Sequence, residues 1–198
     1  MHPDAAASAV KHRARLRDGS EVEVRPLRPD DGPRLVRLFD RLSPQTVHRR
    51  FLSPIREPSA EGIVRLLDVD HEGREAVVAV AGDEIRGVAR YARLPEYPQR
   101  AEVAVVVEDG WQGRGMARLL LRLLTAAARR HGIQSFEGTI LSENRPIVRV
   151  LSRIWPSARF RVLGTETLVE IPLRRGGEPA AQAPSAGRES ASGDAVGR

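Results

Sequence analysis

Residues 103–124, VAVVVEDGWQGRGMARLLLRLL, decide the fold of this chain. An apolar run breaks at Glu108-Asp109-Gly110, passes through two glycines on either side of Arg114, and then resumes with helical spacing. The first part is typical of a buried strand and the last part of an amphipathic helix. The stretch therefore predicts two stiff elements joined by a glycine turn.

The helix after the glycine turn has the clearest pattern in the sequence. Its apolar side chains share one face, its arginines point outward, and Gly132 is placed to end it. The apolar stripe comprises Met116, Leu119, Leu120, Leu123, Leu124 and Ala127, and the outward arginines are Arg118, Arg122 and Arg129. A helix that begins at Met116 has both glycines directly before its N-terminus.

Weaker patterns predict further elements on both sides of this unit. Strands are predicted over residues 21–25, 76–81, 85–92, 101–107, 135–141, 160–163 and 167–171. Helices are predicted from Asp30-Asp31 to Ser43-Pro44, and over residues 59–67, 116–130 and 144–154. This order predicts a mixed α/β fold with a sheet of about seven strands and about four helices.

The two ends of the chain have a different composition from the middle. Residues 1–19 are alanine-rich and basic, and residues 174–198 are rich in glycine, alanine, proline and serine with no apolar periodicity. We therefore expect one domain over residues 20–173 between a disordered N-terminal segment and a disordered C-terminal tail. A length of 198 residues fits one such domain.

The composition narrows the class of protein. The formal charge is +6, but the basic residues are scattered, which argues against a nucleic-acid partner. Lys11 is the only lysine, so arginine carries nearly all positive charge. Arginine suits a phosphate ligand, although a codon bias toward arginine and alanine is the simpler explanation. The absence of cysteine excludes disulfides, thiolate metal sites and a cysteine nucleophile.

Targeting signals are also missing from the printed sequence. No apolar run approaches the roughly 20 residues that span a bilayer, and the first residues lack the apolar core of a signal peptide. His48 and His71 do not have the spacing of metal ligands, so no metal is expected. We expect a cytoplasmic protein without a membrane partner.

The glycine turn has the chemistry of an anion site. A helix N-terminus leaves about four N–H groups without partners, and the helix dipole adds partial positive charge there. Glycines let the backbone come close to a ligand, so successive amides can converge on phosphate oxygens. A Walker loop is excluded because no Gly-Lys-Ser/Thr follows, and a dinucleotide fingerprint because Arg118 replaces the third small residue. A plain strand-to-helix turn is the structural alternative.

The loop does not stand alone. The pattern Gln112-x-x-Gly115-x-Ala117 after an apolar strand resembles the acetyl-CoA loop of the GNAT superfamily of N-acetyltransferases. The resemblance covers residues 20–173 and includes VRPLRPDD (24–31), RLSP (41–44), AEVAVVV (101–107) and SENRP (142–146). The chain is most similar to the acetyltransferase domain of bacterial protein lysine acetyltransferases.

The resemblance implies a fold and a binding mode for acetyl-CoA. The family sheet is mostly antiparallel and splays in the middle, after the loop-bearing strand, which opens a slot for the thioester. Backbone groups of Val105 and Val107 would pair with the pantetheine arm, and Asn144 would bond the cofactor from the next helix. The diphosphate would be held by amides of Gln112, Gly113, Arg114, Gly115, Met116, Ala117 and Arg118.

The chemistry requires a base, because a lysine amine with an ordinary pKa of about 10.4 is protonated at pH 7. Glu102 occupies the position where the similar lysine acetyltransferases have a catalytic glutamate, and it would deprotonate the amine directly or through water. The alternative is an ordinary glutamate at a strand edge. Glu137 is a second candidate base, whereas Glu108 and Asp109 are interpreted as turn residues.

The sequence departs from the family in two places. Leu151 stands where many GNAT proteins have a tyrosine that protonates the departing thiolate, and Ile154-Trp155-Pro156 replaces a leucine-glycine-phenylalanine sequence. Tyr91 and Tyr97 remain open as sheet or loop residues. The segment 41–51 would form a lip over the acceptor slot, where Arg49 and Arg50 would either guide an acidic acceptor or only solvate a helix end.

These observations give one leading hypothesis. The chain transfers the acetyl group of acetyl-CoA to a primary amine, with a protein lysine as the favoured acceptor, by direct attack and without a covalent acetyl-enzyme. A small-molecule amine acetyltransferase and a non-catalytic acyl-CoA-binding module are the alternatives. We expect a monomer or a homodimer.

Overall fold

The computed structural model describes residues 11–51 and 60–173, and the side chains of all of these except Phe51 and Ala60. Eight strands lie in this part of the chain: β1 (His12–Arg15), β2 (Glu21–Pro26), β3 (Arg74–Ala81), β4 (Glu84–Leu94), β5 (Tyr97–Val107), β6 (Ser135–Leu141), β7 (Arg159–Leu163) and β8 (Glu166–Pro172). The helices are α1 (Gly32–Asp40), α2 (Pro44–Phe51), α3 (Ala60–Leu67), α4 (Met116–Arg130) and α5 (Arg145–Ile154).

All eight strands belong to one sheet in the order β1-β2-β3-β4-β5-β6-β8-β7. Every neighbouring pair is antiparallel except β5 and β6, which are parallel. These two strands pair only where residues 100–102 face residues 135–137. The predicted fold class, a mostly antiparallel sheet splayed in the middle, is confirmed.

A close backbone approach lies at the point where the two strands part. A Cβ atom added to Gly138 would lie 3.2 Å from the carbonyl oxygen of Val103. A side chain at this position would therefore press on the neighbouring strand where the gap begins.

The sheet buries a separate apolar cluster on each face. One cluster packs α4 and α5 against the sheet through residues such as Leu120, Leu124 and Phe136. The other packs α1, α2 and α3 through Leu35, Val47 and Ile63 respectively. Full burial of a leucine side chain contributes about 1.5–3 kcal/mol, so both helical layers are held to the sheet chiefly by apolar contact.

The expectation that residues 1–19 are disordered is wrong for residues 11–19. His12–Arg15 forms β1, which pairs antiparallel with β2, and the following Leu16 is 7% exposed in the core. The sequence HRAR has no apolar alternation because β1 is an edge strand with little burial. Residues 1–10 and 174–198, where disorder was also predicted, lie outside the described part of the chain.

The first helical region also differs from the prediction. Pro29–Asp31 forms a short 3-10 turn before α1, and α1 ends at Asp40 rather than at Ser43-Pro44. Pro44 instead begins α2, because proline lacks an N–H that the first turn of a helix does not use. The segment predicted as a lip is therefore a helix, and the chain has five α-helices in its described part.

A buried ion pair fixes the connection from β2 to α1. Both terminal nitrogens of the Arg25 guanidinium donate to Asp31, at 2.6 and 2.7 Å, and the N–H of Arg28 donates to the same carboxylate at 3.0 Å. Burial works to raise the pKa of Asp31, but these hydrogen bonds and charges outweigh it and hold the pKa below its usual range. The pair gives a structural role to two charged residues of the segment 24–31, Arg25 and Asp31.

Candidate active site

A cavity of about 620 Å³ occupies the gap between β5 and β6. Its wall includes both strands beyond their last pair, the glycine turn, the start of α4, α5 and part of α2. Residues from both helical layers therefore line one space, which reaches through the sheet where the strands part.

The free edge of β5 forms one side of the cavity. The N–H of Glu108 donates to Arg86 of β4 at 2.9 Å, so alternate backbone groups of β5 face β4. The groups of Val103, Val105 and Val107 consequently face the gap. In the described part of the chain no strand pairs with this edge beyond Glu102, so an extended ligand can bind here as an added strand.

One group on this edge is already in use. The carbonyl oxygen of Val107 accepts a hydrogen bond of 3.0 Å from the side chain of Gln112. The same amide nitrogen donates to the hydroxyl of Thr46 in α2 at 3.2 Å. The Gln112 side chain therefore joins the end of β5 to α2, and only its backbone is left for the ligand role predicted from sequence.

The glycine turn has the backbone that its sequence requires. Gly113 and Gly115 have φ angles of 75° and 94°, in the left-handed region that favours glycine. Gly115 is the N-cap of the 15-residue helix α4, and no side chain caps this helix end. The first N–H groups of α4, which begins with Met116 and Ala117, are thus left at the cavity, where an anion can accept from them.

Two arginines of this region have opposite roles. The Arg114 guanidinium forms an ion pair with Asp18 at 2.6 Å, donates to Ser20 at 3.2 Å and lies over the ring of Trp111. Arg118 lines the cavity, and its buried Nε has no hydrogen-bond partner. Arg114 therefore serves the fold with its side chain, whereas Arg118 has a donor available to a ligand.

Arg17 is a cavity residue that the sequence analysis missed. It follows β1, its N–H donates to the carbonyl of Arg114 at 3.1 Å, and its side chain lies 3.7 Å from the position of a Cβ atom on Gly115. Because the sequence predicts disorder for residues 1–19, it does not predict Arg17 as a site residue. Only the pairing of β1 with β2, which its polar sequence does not signal, brings Arg17 to the glycine turn.

A hydrogen-bond network attaches α2 to the same turn. Asp109 accepts from the N–H and the hydroxyl of Ser43, at 2.9 and 2.7 Å, and from the hydroxyl of Thr46 at 2.7 Å. Burial raises the pKa of Asp109, but these hydrogen bonds outweigh it and lower the pKa. Asp109 and Glu108, which pairs with Arg41 and Arg86, have structural roles.

The side of the cavity opposite β5 is formed by α5. Asn144, the N-cap of α5, and Ile147 line it, and the side chain of Asn144 makes no capping hydrogen bond. Leu151 is 5% exposed and also lines the cavity. Trp155 is buried against Phe136 edge to face, with ring centroids 6.4 Å apart, so it fills a core site at the end of α5.

Glu102 is the acidic side chain among the described residues of the cavity wall. It lies in the last pair before the strands part, and its side chain is exposed. Glu137, the second candidate base, does not line the cavity and lies 4.0 Å from Arg100. The geometry therefore favours Glu102 over Glu137 as a group that can reach a ligand in the gap.

The tyrosines lie elsewhere. The hydroxyl of Tyr91 donates to the carbonyl of Glu72 and contacts His131, both at 3.0 Å, and burial raises its pKa. Tyr97 is exposed beside Arg100. Neither side chain lines the cavity, so neither is placed to protonate a leaving group there.

Residues 11–51 and 60–173 lack two kinds of structural feature. They contain no helix long and apolar enough to cross a membrane. They also contain no group of three or more histidine, cysteine, aspartate or glutamate side chains that could hold a metal ion.

Comparisons with known proteins agree with this geometry. Acetyltransferase PA5475 of Pseudomonas aeruginosa is 39% identical over 134 residues, which cover 66% of this chain and 72% of that protein. Acetyltransferase Pat of Mycolicibacterium smegmatis is 30% identical over 162 residues, which cover 79% of this chain but 48% of that protein. The chain therefore spans about half the length of this second relative.

A solved structure and a family model give the same result. The crystal structure of the GNAT domain of PAT from S. lividans matches with a TM-score of 0.76 and 30% identity, over 82% of this chain and 96% of that one. Residues 21–154 match the family model described as the acetyltransferase (GNAT) domain. The chain belongs to the GNAT family of acetyltransferases.

Proposed function

We propose that the chain transfers the acetyl group of acetyl-CoA to a primary amine, that a lysine side chain of a protein is the acceptor, and that Glu102 is the general base. The observation that carries this proposal is the continuous cavity with the glycine turn at one part of its wall and Glu102 at another. The likeness to Pat proteins supports a protein acceptor.

The cavity offers matching partners to each part of acetyl-CoA. The N–H groups at the start of α4 donate to the diphosphate oxygens, with Arg118 and Arg17 as cations beside them. The free edge of β5 at Val105 pairs with the amide-bearing pantetheine arm, and the N–H of Val107 is directed to the same edge. Asn144 bonds the arm from the start of α5.

The reaction follows as a direct attack. Glu102 removes a proton from the ammonium group of the acceptor, directly or through one water. The neutral nitrogen attacks the thioester carbonyl carbon to form a tetrahedral intermediate. The nitrogen then loses its second proton to water as the C–S bond breaks, which gives the amide and a thiolate. Because Leu151 replaces the tyrosine common in the family, water protonates the thiolate.

The test uses labelled acetyl-CoA and two acceptor pools, a host protein extract and a panel of small amines. Label in lysine residues of proteins supports the proposal as stated. Label confined to the small amines would show that the acceptor is a small molecule and not a protein lysine. Binding of acetyl-CoA without label in either pool would indicate a non-catalytic acyl-CoA-binding module.

A further inference from the structure

The side chain of Gln112 connects two elements of the cavity wall. Its amide nitrogen donates to the carbonyl oxygen of Val107 at the end of β5, at 3.0 Å, and to the hydroxyl of Thr46 in α2, at 3.2 Å. An amide nitrogen carries two hydrogens, so both of them are used. The backbone of Gln112 belongs to the turn before α4, and this one residue therefore joins the turn, β5 and α2.

The direction of the hydrogen bond between Gln112 and Thr46 follows from the next group in the network. The hydroxyl of Thr46 donates to Asp109 at 2.7 Å, and a hydroxyl has only one hydrogen to give. The pKa of Asp109 lies below its ordinary value, so its carboxylate is ionised at neutral pH and only accepts. The oxygen of Thr46 must therefore accept from position 112, which requires a donating side chain there.

Thr46 lies on the side of α2 that faces the cavity. Thr46, Arg49 and Arg50 all line the cavity, and their spacing of three and four residues puts them on one side of the helix. Val47 packs into the apolar cluster that holds α1, α2 and α3 to the sheet. Because apolar packing is not directional, the hydrogen bond at Thr46 fixes which side of α2 faces the cavity.

Glu102 lies on the same face of the sheet as α2. It is close enough to interact electrostatically with Arg50 of α2 and with Arg90, whose guanidinium donates to the carbonyl of Arg65 in α3 at 3.2 Å. The helices α4 and α5 pack on the opposite face, and their arginines in the cavity wall are Arg118, Arg149 and Arg153. Acetyl-CoA bound at the start of α4 therefore lies on one face, and an acceptor amine reaches Glu102 from the other.

We infer that Gln112 is a positioning residue for the acceptor: through Thr46, its side chain holds the cavity-facing side of α2 beside Glu102. The inference rests on the proposed function, since it concerns the acceptor end of the same site. It gives the turn two separate tasks, because the backbone amides bind the diphosphate and the Gln112 side chain orders the acceptor end. Changes to this side chain should therefore affect the acceptor and not acetyl-CoA.

The experiment measures acceptor and donor binding separately. Gln112→Met retains the length of the side chain but removes both donors, and Thr46→Val removes the hydroxyl at nearly constant size. Each should raise the KM for the acceptor about threefold or more, the effect of one lost hydrogen bond between neutral groups. We expect kcat and the Kd of acetyl-CoA to stay within about twofold of wild type. The acceptor is whichever pool, the host protein extract or the small-amine panel, takes label from acetyl-CoA.

Further variants distinguish positioning from a general loss of stability. Thr46→Ser keeps the hydroxyl and should restore a KM near the wild-type value. Because Gln112 and Thr46 share one hydrogen bond, the double variant should have a KM no more than about twofold above that of the more affected single variant. The matched controls are Gln99→Met and Thr165→Val, at exposed positions outside the cavity wall, which should leave KM unchanged.

The outcomes separate the inference from the proposed function. An unchanged acceptor KM in either single variant, or a loss of acetyl-CoA affinity as large as the rise in KM, overturns the inference while acetyl transfer stands. A double variant whose effect is the product of the two single effects overturns it as well. No label in either pool with the wild-type protein overturns the proposed function and the inference together. Thermal denaturation verifies that each variant is folded at the assay temperature.

Discussion

Two regions of the molecule differ in whether their buried charged side chains have all their hydrogen-bond partners within the chain. In the connection from β2 to α1, Arg25 and Asp31 are 7% and 0% exposed, and each finds its partner within the chain. In the cavity, the buried Nε atoms of Arg49 and Arg118 have no partner.

This difference indicates which charged side chains stabilise the fold and which are available to bind a ligand. A buried donor without a hydrogen-bond partner is costly, so a chain that leaves one at a cavity wall loses stability there unless a ligand accepts from it. Changes at the first region should therefore lower stability, and changes at the second should lower binding or turnover.

Glu102→Gln should lower kcat by about 10²–10⁴-fold, because loss of a positioned base removes that contribution from the reaction. Acetyl-CoA affinity and stability should stay near the wild-type values, since the side chain is exposed and the diphosphate contacts lie elsewhere. Steady-state kinetics with any labelled acceptor measures the effect. Glu137→Gln is the matched control. A larger loss of kcat in this variant than in Glu102→Gln would contradict the assignment of Glu102 as the base.

Asp31→Ala should lower the free energy of unfolding by about 3–5 kcal/mol, the usual cost of leaving a buried charge, here Arg25, without its partner. Urea denaturation followed by circular dichroism measures it. Glu21→Ala, which breaks the exposed pair with Arg15, is the control and should leave the urea midpoint unchanged. Equal effects of the two substitutions would contradict a structural role for the Arg25–Asp31 pair.

Arg118→Gln should weaken acetyl-CoA binding about tenfold, as expected for loss of one charge-assisted contact, without lowering stability. Arg17→Gln should have a smaller effect because its side chain is exposed. Calorimetric titration measures both, with Arg122→Gln as the control on the same helix. Wild-type affinity in both cavity variants would remove these arginines from the phosphate site.

The smallest effect is a pH dependence of stability. Because the folded pKa of Asp31 lies below its unfolded value of about 3.9, the pair stabilises fully above that value, and the contribution is lost as pH falls through the folded pKa. The difference in unfolding free energy between wild type and Asp31→Asn should therefore shrink below about pH 4. A difference that stays constant from pH 6 to pH 3 would contradict this.

The sequence predicts those parts of the fold where periodicity is strong. The helix from Met116 and the strand before it have clear apolar patterns, and the glycines at their junction have the left-handed backbone that glycine favours. The strand β1 was missed because both of its faces are mostly exposed, so burial imposes no alternation on its sequence. The helix α2 was missed because Pro44 was interpreted as a stop, although proline is also tolerated in a first turn.

The candidate site was predictable only in part for a related reason. Local sequence can place amides at a helix start and Glu102 at a strand, because each depends on one element. Arg17, Arg49 and Arg118 come from three separate elements, and their place in one cavity depends on how those elements pack. No spacing in the sequence encodes that three-dimensional arrangement.

The central claim is that the glycine turn and the start of α4 bind the diphosphate of acetyl-CoA. The most direct measurement is a calorimetric titration of acetyl-CoA into the wild-type protein, Gly115→Ala and Gly115→Glu. Both variants strain the left-handed backbone at this position, but only glutamate adds bulk and negative charge. The account predicts saturable binding to the wild type and affinity at least about tenfold weaker for Gly115→Glu than for Gly115→Ala. Equal affinity of the two variants, or no binding to the wild type, would contradict it.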